Sequence, residues 1–187
     1  MEQKIILCDV DGVLADFTTR AISLIRGIYG YEKFEHDGTW NFIPKHLENY
    51  VFEKSNPISF DIFDGAVEAI GILRSYGQVL FVTSPAHVLP WCYQRTQWLM
   101  DNFGAKESDV IFTSRKELIQ GDILIEDSFS NASKFKKANR KRQTVLIRRP
   151  YNIKQLDTDT SDIDVAVDSI LEFAKSYKGI FETWSIV

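Results

Sequence analysis

Residues 4–13 read KIILCDVDGV and place two carboxylates, Asp9 and Asp11, directly after an apolar run. Such a run is typical of a strand buried in a parallel sheet, and open α/β folds bind ligands at the carboxyl ends of these strands. Gly12 then allows the backbone to turn sharply. A first carboxylate can attack phosphorus while it binds Mg²⁺, and a second, two positions later, can protonate the leaving oxygen. The segment therefore favours phosphoryl-transfer chemistry over the alternative of a strand followed by an acidic turn.

Two more apolar runs end in polar residues suited to the same chemistry. Residues 79–82 (VLFV) precede Thr83 and Ser84, whose hydroxyls can hold phosphoryl oxygens. Residues 121–127 (GDILIED) end in two carboxylates suited to a hard cation with oxygen ligands, and Lys116 lies shortly before them. Each segment alone has a simpler explanation, namely a turn, a helix cap or a surface lysine. Their order along the chain favours one catalytic site.

The order of these four segments resembles the four motifs of the haloacid dehalogenase-like superfamily of phosphohydrolases. Residues 11–17 (DGVLADF), 81–85 (FVTSP) and 121–125 (GDILI) are further similar to the 5'(3')-deoxyribonucleotidase family. The similarity spans residues 4 to about 130. It implies a Mg²⁺-dependent phosphatase that hydrolyses (deoxy)ribonucleoside monophosphates to nucleoside and phosphate through an aspartyl-phosphate.

The resemblance also implies the catalytic and metal-binding residues. Asp9 becomes the aspartyl-phosphate, and Asp11 protonates the leaving nucleoside oxygen and then activates water. Asp9, the backbone carbonyl of Asp11 and Asp127 hold Mg²⁺, while Lys116 neutralises charge on the nucleophile and the phosphate. Because an acid two residues after the nucleophile suits rapid turnover, Asp11 favours a phosphatase over a dehalogenase or a mutase.

Five further residues are expected to support this chemistry. Thr83 and Ser84 hold the phosphoryl group by the same resemblance. Arg95, in the predicted helix that follows them, is a further phosphate-binding candidate because the family has a basic residue near this position. Glu126 stands where relatives often have a second Asp, and we expect it to support the metal shell. Asp122 is expected to orient the lysine or a metal-bound water.

Two alternatives to a nucleotidase remain open from the sequence. One is a phosphatase for another small phosphoester, which a ranking of kcat/KM over a substrate panel separates from a nucleotidase. The other is a regulatory protein with a long-lived aspartyl-phosphate and no turnover. Asp11 argues against this second alternative, because a group that activates water shortens the lifetime of the phosphorylated state.

Composition and length limit the class of protein. The chain has 187 residues, 44% of them hydrophobic, which corresponds to one domain with a substantial core. The 22 basic and 26 acidic residues give a net charge of -4, which argues against nucleic acid polymers and anionic membranes as partners but is compatible with a small nucleotide. The oligomeric state is left open, with a homodimer as one alternative.

Cysteine usage and the start of the chain bear on the compartment. Only Cys8 and Cys92 occur, so no disulfide framework is indicated. The first strand begins within about four residues of Met1, which leaves no room for a presequence, and no apolar run reaches membrane-spanning length. We therefore expect a soluble cytoplasmic protein.

Alternating apolar runs and amphipathic stretches predict the fold class α/β, with a doubly wound, mostly parallel, Rossmann-like sheet. The carboxyl ends of the motif strands then meet at one edge. Helices are predicted over residues 17–29, 64–76, 90–103, 130–138 and 163–177, and further strands over 110–112 and 144–147. Residues 31–63 lack this alternation, and we interpret them as a small, mainly helical cap insertion within a single domain of residues 1–187.

Aromatic residues near the first motif are the basis for expecting a nucleotide base. Phe17 matches a family residue that stacks on the base, and Trp40 and Phe60 of the predicted cap are expected to complete an apolar slot. For each cap aromatic taken alone, packing of the cap onto the core is the favoured alternative.

Residues 134–142 carry six basic side chains. A solvated helix face is the favoured interpretation of this run, and an anion-binding patch is the alternative.

Overall fold

Apolar runs of the sequence form one six-stranded sheet in the computed structural model, which describes residues 3–28, 31, 34, 42–158 and 160–184. The strands are β1 (Lys4–Cys8), β2 (Gly77–Thr83), β3 (Val110–Phe112), β4 (Ile123–Glu126), β5 (Gln143–Ile147) and β6 (Val165–Val167). Their order across the sheet is β3-β2-β1-β4-β5-β6, and all neighbouring pairs are parallel. The predicted α/β class with a parallel, Rossmann-like sheet is confirmed.

Strand β1 lies between β2 and β4, and its register brings the acidic segments to one edge of the sheet. Cys8 pairs with Phe81 of β2 and with Ile125 of β4. The residues that follow, Asp9 and Glu126, therefore leave the sheet side by side at its carboxyl edge. This is the edge at which open α/β folds bind ligands.

The helices cover both faces of the sheet. They are α1 (Phe17–Arg26), α2 (Glu48–Ser55), α3 (Ala66–Arg74), α4 (Trp91–Phe103), α5 (Phe129–Ala138), α6 (Ile153–Leu156) and α7 (Ile170–Trp184). Because side chains alternate along a strand, Leu7 packs with Phe135 of α5 on one face, while Ile6 and Cys8 belong to the larger core that includes α1, α3, α4 and α7. Among the described helices, none is long and apolar enough to cross a membrane.

The predicted helix over residues 163–177 is wrong in its first part. Residues Val165–Val167 form β6, which pairs with β5, and the helix begins only at Ile170. Apolar side chains at 163, 165 and 167 alternate with the period of a strand, but three residues are too few to separate this period from a helical one. The predicted helix at residues 17–29 is confirmed with an earlier end, at Arg26.

The described part of the predicted cap is helical. Residues 42–63 contain α2 and two 3-10 turns, Lys45–Leu47 and Pro57–Ser59, and no strand apart from an isolated bridge between Ile62 and Ala15. Helix α2 packs against α1. Trp40 lies outside the described residues, and a cap role for this region stays a prediction.

Candidate active site

A cavity of about 400 Å³ lies at the carboxyl edge of the sheet. It brings together side chains from the ends of β1, β2 and β4 and from the turn after β3. The lining residues are Asp9, Asp11, Phe17, Phe52, Thr83, Ser84, Pro85, Ala86, Trp91, Ser114, Lys116, Glu126, Asp127, Ser128, Ser130 and Asn131. The groups expected to act as nucleophile, acid, lysine and metal ligand therefore share one space.

Lys116 joins two of the carboxylates. Its Nζ lies 2.6 Å from Asp9 Oδ1 and 2.7 Å from Glu126 Oε2, and the lysine is 2% exposed. Glu126 is fully buried, and its Oε1 accepts a hydrogen bond from the Ser128 backbone N–H at 3.0 Å. Both Glu126 oxygens are thus engaged within the protein.

Burial and mutual repulsion oppose ionisation of Asp9 and Asp127. Burial, and then the Glu126 carboxylate, raise the pKa of Asp9 well above its ordinary value, although Lys116 opposes the rise. The same two causes raise the pKa of Asp127 to about 8. Burial also penalises the charge of Lys116, but Asp9 and Glu126 outweigh it and raise the lysine pKa. Lys116 is therefore charged, and its single positive charge does not balance the three carboxylates when they are ionised.

The carboxylates can hold a metal ion. One oxygen each from Asp9, Glu126 and Asp127 lie within 4.8 Å of one another, and all three residues are buried. Three ionised carboxylates would exceed the charge of Lys116 by two, and oxygen donors of this kind suit hard divalent cations. Because the Glu126 oxygens are already engaged, Asp9 and Asp127 are the residues left to bind the cation.

Asp11 has a different partner from Asp9. Its Oδ1 accepts a hydrogen bond from Arg95 Nη2 at 2.5 Å. Burial raises the pKa of Asp11, although the charges of Arg95 and Lys116 oppose the rise.

The structure corrects the predicted place of Arg95. The side chain is fully buried and does not line the cavity among the described residues. Its guanidinium carbon lies 4.8 Å from the ring of Phe60, 5.5 Å from Trp91 and 5.4 Å from Trp98. Helix α4 thus directs Arg95 to Asp11, among three aromatic rings that contact its guanidinium.

Asp122 also differs from its prediction. It precedes β4 and so lies at the amino edge of the sheet, where its carboxylate accepts a hydrogen bond from the Ile5 backbone N–H at 2.8 Å and lies 3.6 Å from Lys4 Nζ. A strand of four residues spans roughly 13 Å, so Asp122 and Glu126 occupy opposite edges. Asp122 therefore cannot orient Lys116.

Hydroxyl groups line the cavity as predicted from the second motif. Thr83 is 1% exposed at the end of β2, and Ser84 beside it is exposed. Ser114, in the turn after β3, also lines the cavity and was not predicted. The signal that identifies it is similar to that used for Thr83, a hydroxyl within two residues of the end of a short apolar strand.

Three aromatic rings form one wall of the cavity. Phe17 is stacked on Phe52 with ring centroids 5.6 Å apart and planes 13° apart, and Trp91 meets both rings edge-on. Phe17 thus lines the cavity as predicted. Phe60 is 4% exposed, packs behind Trp91 at 6.0 Å and does not line the cavity among the described residues. Phe52 takes the place that the sequence analysis gave to Phe60.

Tyr151 and Asn152 were missed by the sequence analysis. Tyr151 Oη donates a hydrogen bond to Asp127 Oδ2, and burial raises the tyrosine pKa far above its ordinary value, so the hydroxyl keeps its proton. Asn152 Nδ2 donates to the Asp127 carbonyl at 2.8 Å. Both residues follow β5 and so lie at the carboxyl edge of the sheet, but they lie four and five positions beyond its last residue, and the apolar run alone does not identify them.

Comparisons with known proteins agree with this geometry. A family model described as 5' nucleotidase, deoxy (pyrimidine), cytosolic type C protein matches residues 3–175. The chain is 23% identical over 161 residues to the 5'(3')-deoxyribonucleotidase of Bacillus subtilis (strain 168), a match that covers 80% of this chain and 88% of that protein. A 5'(3')-deoxyribonucleotidase of Bacillus phage SPbeta matches with the same identity and coverage.

Solved structures share the fold. A haloacid dehalogenase-like hydrolase from Burkholderia xenovorans LB400 superposes with a TM-score of 0.66 at 18% identity, covering 96% of this chain and 99% of that one. The L-2-haloacid dehalogenase from Xanthobacter autotrophicus gives a TM-score of 0.59 at 10% identity, covering 96% and 100%. At these identities the likeness establishes the architecture of the chain.

Proposed function

Because the chain belongs to the family of 5' nucleotidase, deoxy (pyrimidine), cytosolic type C proteins, we propose that it hydrolyses (deoxy)ribonucleoside monophosphates with Mg²⁺ and through an aspartyl-phosphate on Asp9. Family membership makes the chain a phosphoric monoester hydrolase of the 5'-nucleotidase type. The observation that carries the proposed mechanism is the position of Asp9 in the cavity, with Lys116 Nζ 2.6 Å from its Oδ1.

The two aspartates divide the chemistry between them. The Asp9 carboxylate attacks phosphorus, the bond to the nucleoside oxygen breaks, and Asp11 gives its proton to that oxygen. In the second step Asp11 takes a proton from water, the water oxygen attacks phosphorus, and phosphate leaves Asp9 free again. The contact of Asp11 with Arg95 supports this assignment, because it fixes the carboxyl group beside the nucleophile.

Lys116 and the cavity hydroxyls bind the anionic group. The Lys116 ammonium balances charge that moves from Asp9 onto the phosphoryl oxygens, and Thr83 donates a hydrogen bond to one of them. Asp9 and Asp127 hold Mg²⁺ in this proposal, as the closeness of their oxygens supports. When bound, Mg²⁺ supplies positive charge that stabilises the phosphoryl group during transfer.

The aromatic wall supports a nucleoside as the group that is attached to the phosphate. Phe17, Phe52 and Trp91 present an apolar surface in the same cavity as Asp9, so a base can pack there while its phosphate meets the nucleophile. A surface of this kind contributes through area and ring contacts and accepts several bases.

A substrate panel tests the proposal. Purified protein with Mg²⁺ is assayed for phosphate release from deoxyribonucleoside and ribonucleoside 5'- and 3'-monophosphates and from small sugar phosphates. We expect nucleoside monophosphates to give the highest kcat/KM and steady turnover. A preference for sugar phosphates, or one phosphate bound per chain without turnover, would overturn the proposed substrate or the proposed turnover.

A matched pair of variants tests the role of Asp9. Asp9→Asn should lower hydrolysis by at least about a thousandfold, because it removes the nucleophile. Asp122→Asn makes the same chemical change at the opposite edge of the sheet and should retain activity. Near-normal phosphate release by Asp9→Asn would refute the mechanism.

A further inference from the structure

Residues 149–152 lie beside both acidic turns of the active site. They follow β5, which pairs in parallel with β4, so this segment meets the edge that carries Asp127. Tyr151 is 8% exposed and Asn152 is 1% exposed. Polar side chains buried to this degree require partners within the protein.

Side chains of this segment donate hydrogen bonds to backbone carbonyls that follow β1 and β4. Arg149 Nε donates a hydrogen bond to the Gly12 carbonyl at 2.7 Å, in the turn after β1. Asn152 Nδ2 donates to the carbonyls of Asp127 and Ile147, both at 2.8 Å. Asn152 Oδ1 accepts from the Arg149 backbone N–H at 2.9 Å, which joins these two anchors.

One oxygen of Asp127 is enclosed by this arrangement. Tyr151 Oη donates to Asp127 Oδ2. Gly12 has φ +82°, and a Cβ on it would lie 1.9 Å from Asp127 Oδ2 and 2.6 Å from Tyr151 Oη. Because a hydroxyl and a backbone turn press on Oδ2, Oδ1 is the oxygen left for a cation shared with Asp9.

We propose that Tyr151 is a positioning residue that restricts Asp127 to one-oxygen coordination and thereby makes the site prefer Mg²⁺ to Ca²⁺. Mg²⁺ demands near-ideal octahedral geometry, whereas Ca²⁺ takes six to eight oxygens and readily binds both oxygens of a carboxylate. The inference rests on the proposed function, from which it takes Mg²⁺ as the cofactor. It adds that Tyr151 is the residue that makes the site select this metal.

The test compares Mg²⁺ and Ca²⁺ binding in Tyr151→Phe and in the wild type, by calorimetric titration without nucleotide. Loss of the hydroxyl frees Oδ2, so we expect Mg²⁺ affinity to fall by about tenfold to a hundredfold, the usual effect of removing a partner that orients a metal ligand. Ca²⁺ affinity should change little, because Ca²⁺ can bind the freed oxygen, so the preference for Mg²⁺ over Ca²⁺ should fall by about tenfold or more. An unchanged ratio of the two dissociation constants would overturn the proposal.

Tyr177→Phe is the matched control. Tyr177 is a buried tyrosine of α7 that packs on Tyr76 and Phe173, remote from the acidic edge. Its variant should leave both affinities unchanged, and an equal loss of Mg²⁺ preference there would contradict a specific role for Tyr151. A measurement on the wild type does not depend on the folding of a variant. If the wild type bound Ca²⁺ as tightly as Mg²⁺, or more tightly, the proposal would also be overturned.

These titrations separate the inference from the proposed function. Nucleotide hydrolysis by the wild type, with an unaltered metal preference in Tyr151→Phe, would remove the inference alone. A shifted metal preference in a protein that hydrolyses no nucleotide would support the inference and remove the proposed substrate.

Discussion

Asp9 and Asp11 are separated by one residue, yet the structure gives them different surroundings. Asp9 contacts Lys116 in the cavity, whereas Asp11 contacts Arg95, whose guanidinium is enclosed by aromatic rings. Burial raises the pKa of both aspartates, so their different partners, and not the direction of the pKa shift, separate the proposed nucleophile from the proposed acid. The different partners of these two aspartates therefore carry the proposed division of labour.

Arg95→Met tests whether the arginine positions the acid. The variant removes the cation from Asp11, and kcat for a deoxyribonucleoside monophosphate should fall by about tenfold to a hundredfold because proton donation is impaired. Release of p-nitrophenol in the first turnover of p-nitrophenyl phosphate should fall much less, since this leaving group needs little protonation. Rapid-quench measurement of the first turnover on the two substrates checks this, and an equal loss on both would indicate a merely structural role.

Phe17→Ala tests the aromatic wall. Removal of the ring takes away contact surface for a base, so KM for a nucleoside monophosphate should rise by roughly tenfold, in line with the ~1–3 kcal/mol of one stacking contact. Turnover of p-nitrophenyl phosphate should persist because no base is present. Comparable losses on both substrates would contradict base packing at this wall.

Three basic side chains of residues 134–142 form ion pairs with the loop before β6. Lys137 Nζ and Arg140 Nη1 lie 2.9 and 2.6 Å from the Asp162 carboxylate, and Lys136 Nζ lies 2.7 Å from Asp164 Oδ1. Ser133 Oγ also donates to Asp162 at 2.6 Å. Four of the six basic residues are exposed, as a solvated face predicts. Lys136, Lys137 and Arg140 also connect α5 and the turn after it to the loop before β6.

Asp162→Asn should lower the free energy of unfolding by about 1–3 kcal/mol at pH 7, because it weakens hydrogen bonds to a charged group. Hydrogen bonds from Ser133 and Lys137 lower the pKa of Asp162 to about 2. The stabilisation is therefore complete above the ordinary Asp pKa near 4 and is lost as the pH falls through about 2. Urea unfolding at pH 7 and at pH 2.5 should show a smaller difference at the lower pH.

The exposed Asp101 of α4 provides the comparison for this variant. Asp101→Asn should change stability by less than about 0.5 kcal/mol. A difference between Asp162→Asn and the wild type that stays constant from pH 7 to pH 2.5 would contradict the assigned cause.

Apolar runs of four residues could be predicted as strands, because the run itself and the polar residues that bound it favour a buried strand. Residues 79–82 and 144–147 are examples, and the polar residues after such runs predicted much of the site. Strand β6 could not be predicted, since only its pairing with β5 separates three residues from a helix. Tyr151 meets Asp127 across 24 positions and Arg149 meets Gly12 across 137, so no local pattern contains these contacts.

The whole chain converges on one edge of one sheet. Four separate segments supply Asp9, Thr83, Lys116 and Asp127, and parallel register brings them to a common cavity. The order of motifs was sufficient to predict this meeting, because crossover handedness limits where successive strands can lie. The order of the motifs does not predict where two side chains lie. The direction of Arg95 and the position of Asp122 at the other edge of the sheet depend on tertiary packing.

Removal of divalent cations should stop hydrolysis and lower the stability of the whole fold. When ionised, the buried carboxylates exceed the charge of Lys116, so a bound cation relieves repulsion that otherwise opposes folding. Mg²⁺ at about a hundred times its Kd should add about 2.7 kcal/mol of stability. Scanning calorimetry after chelation and after Mg²⁺ addition measures this, and Asp127→Asn should lose the response. Melting that is indifferent to Mg²⁺ in the wild type would contradict a metal site here.

Isolation of the phosphorylated chain tests the nucleophile most directly. Asp11→Asn slows the attack of water, and p-nitrophenyl phosphate carries a leaving group that departs without an acid, so this combination should accumulate phosphate on the protein. We predict that radiolabelled substrate, acid quench and peptide mapping place a hydroxylamine-sensitive phosphate on Asp9, and none when Asp9 is replaced by Asn. Label on another residue, or phosphate release with the Asp9 peptide unlabelled, would contradict the account.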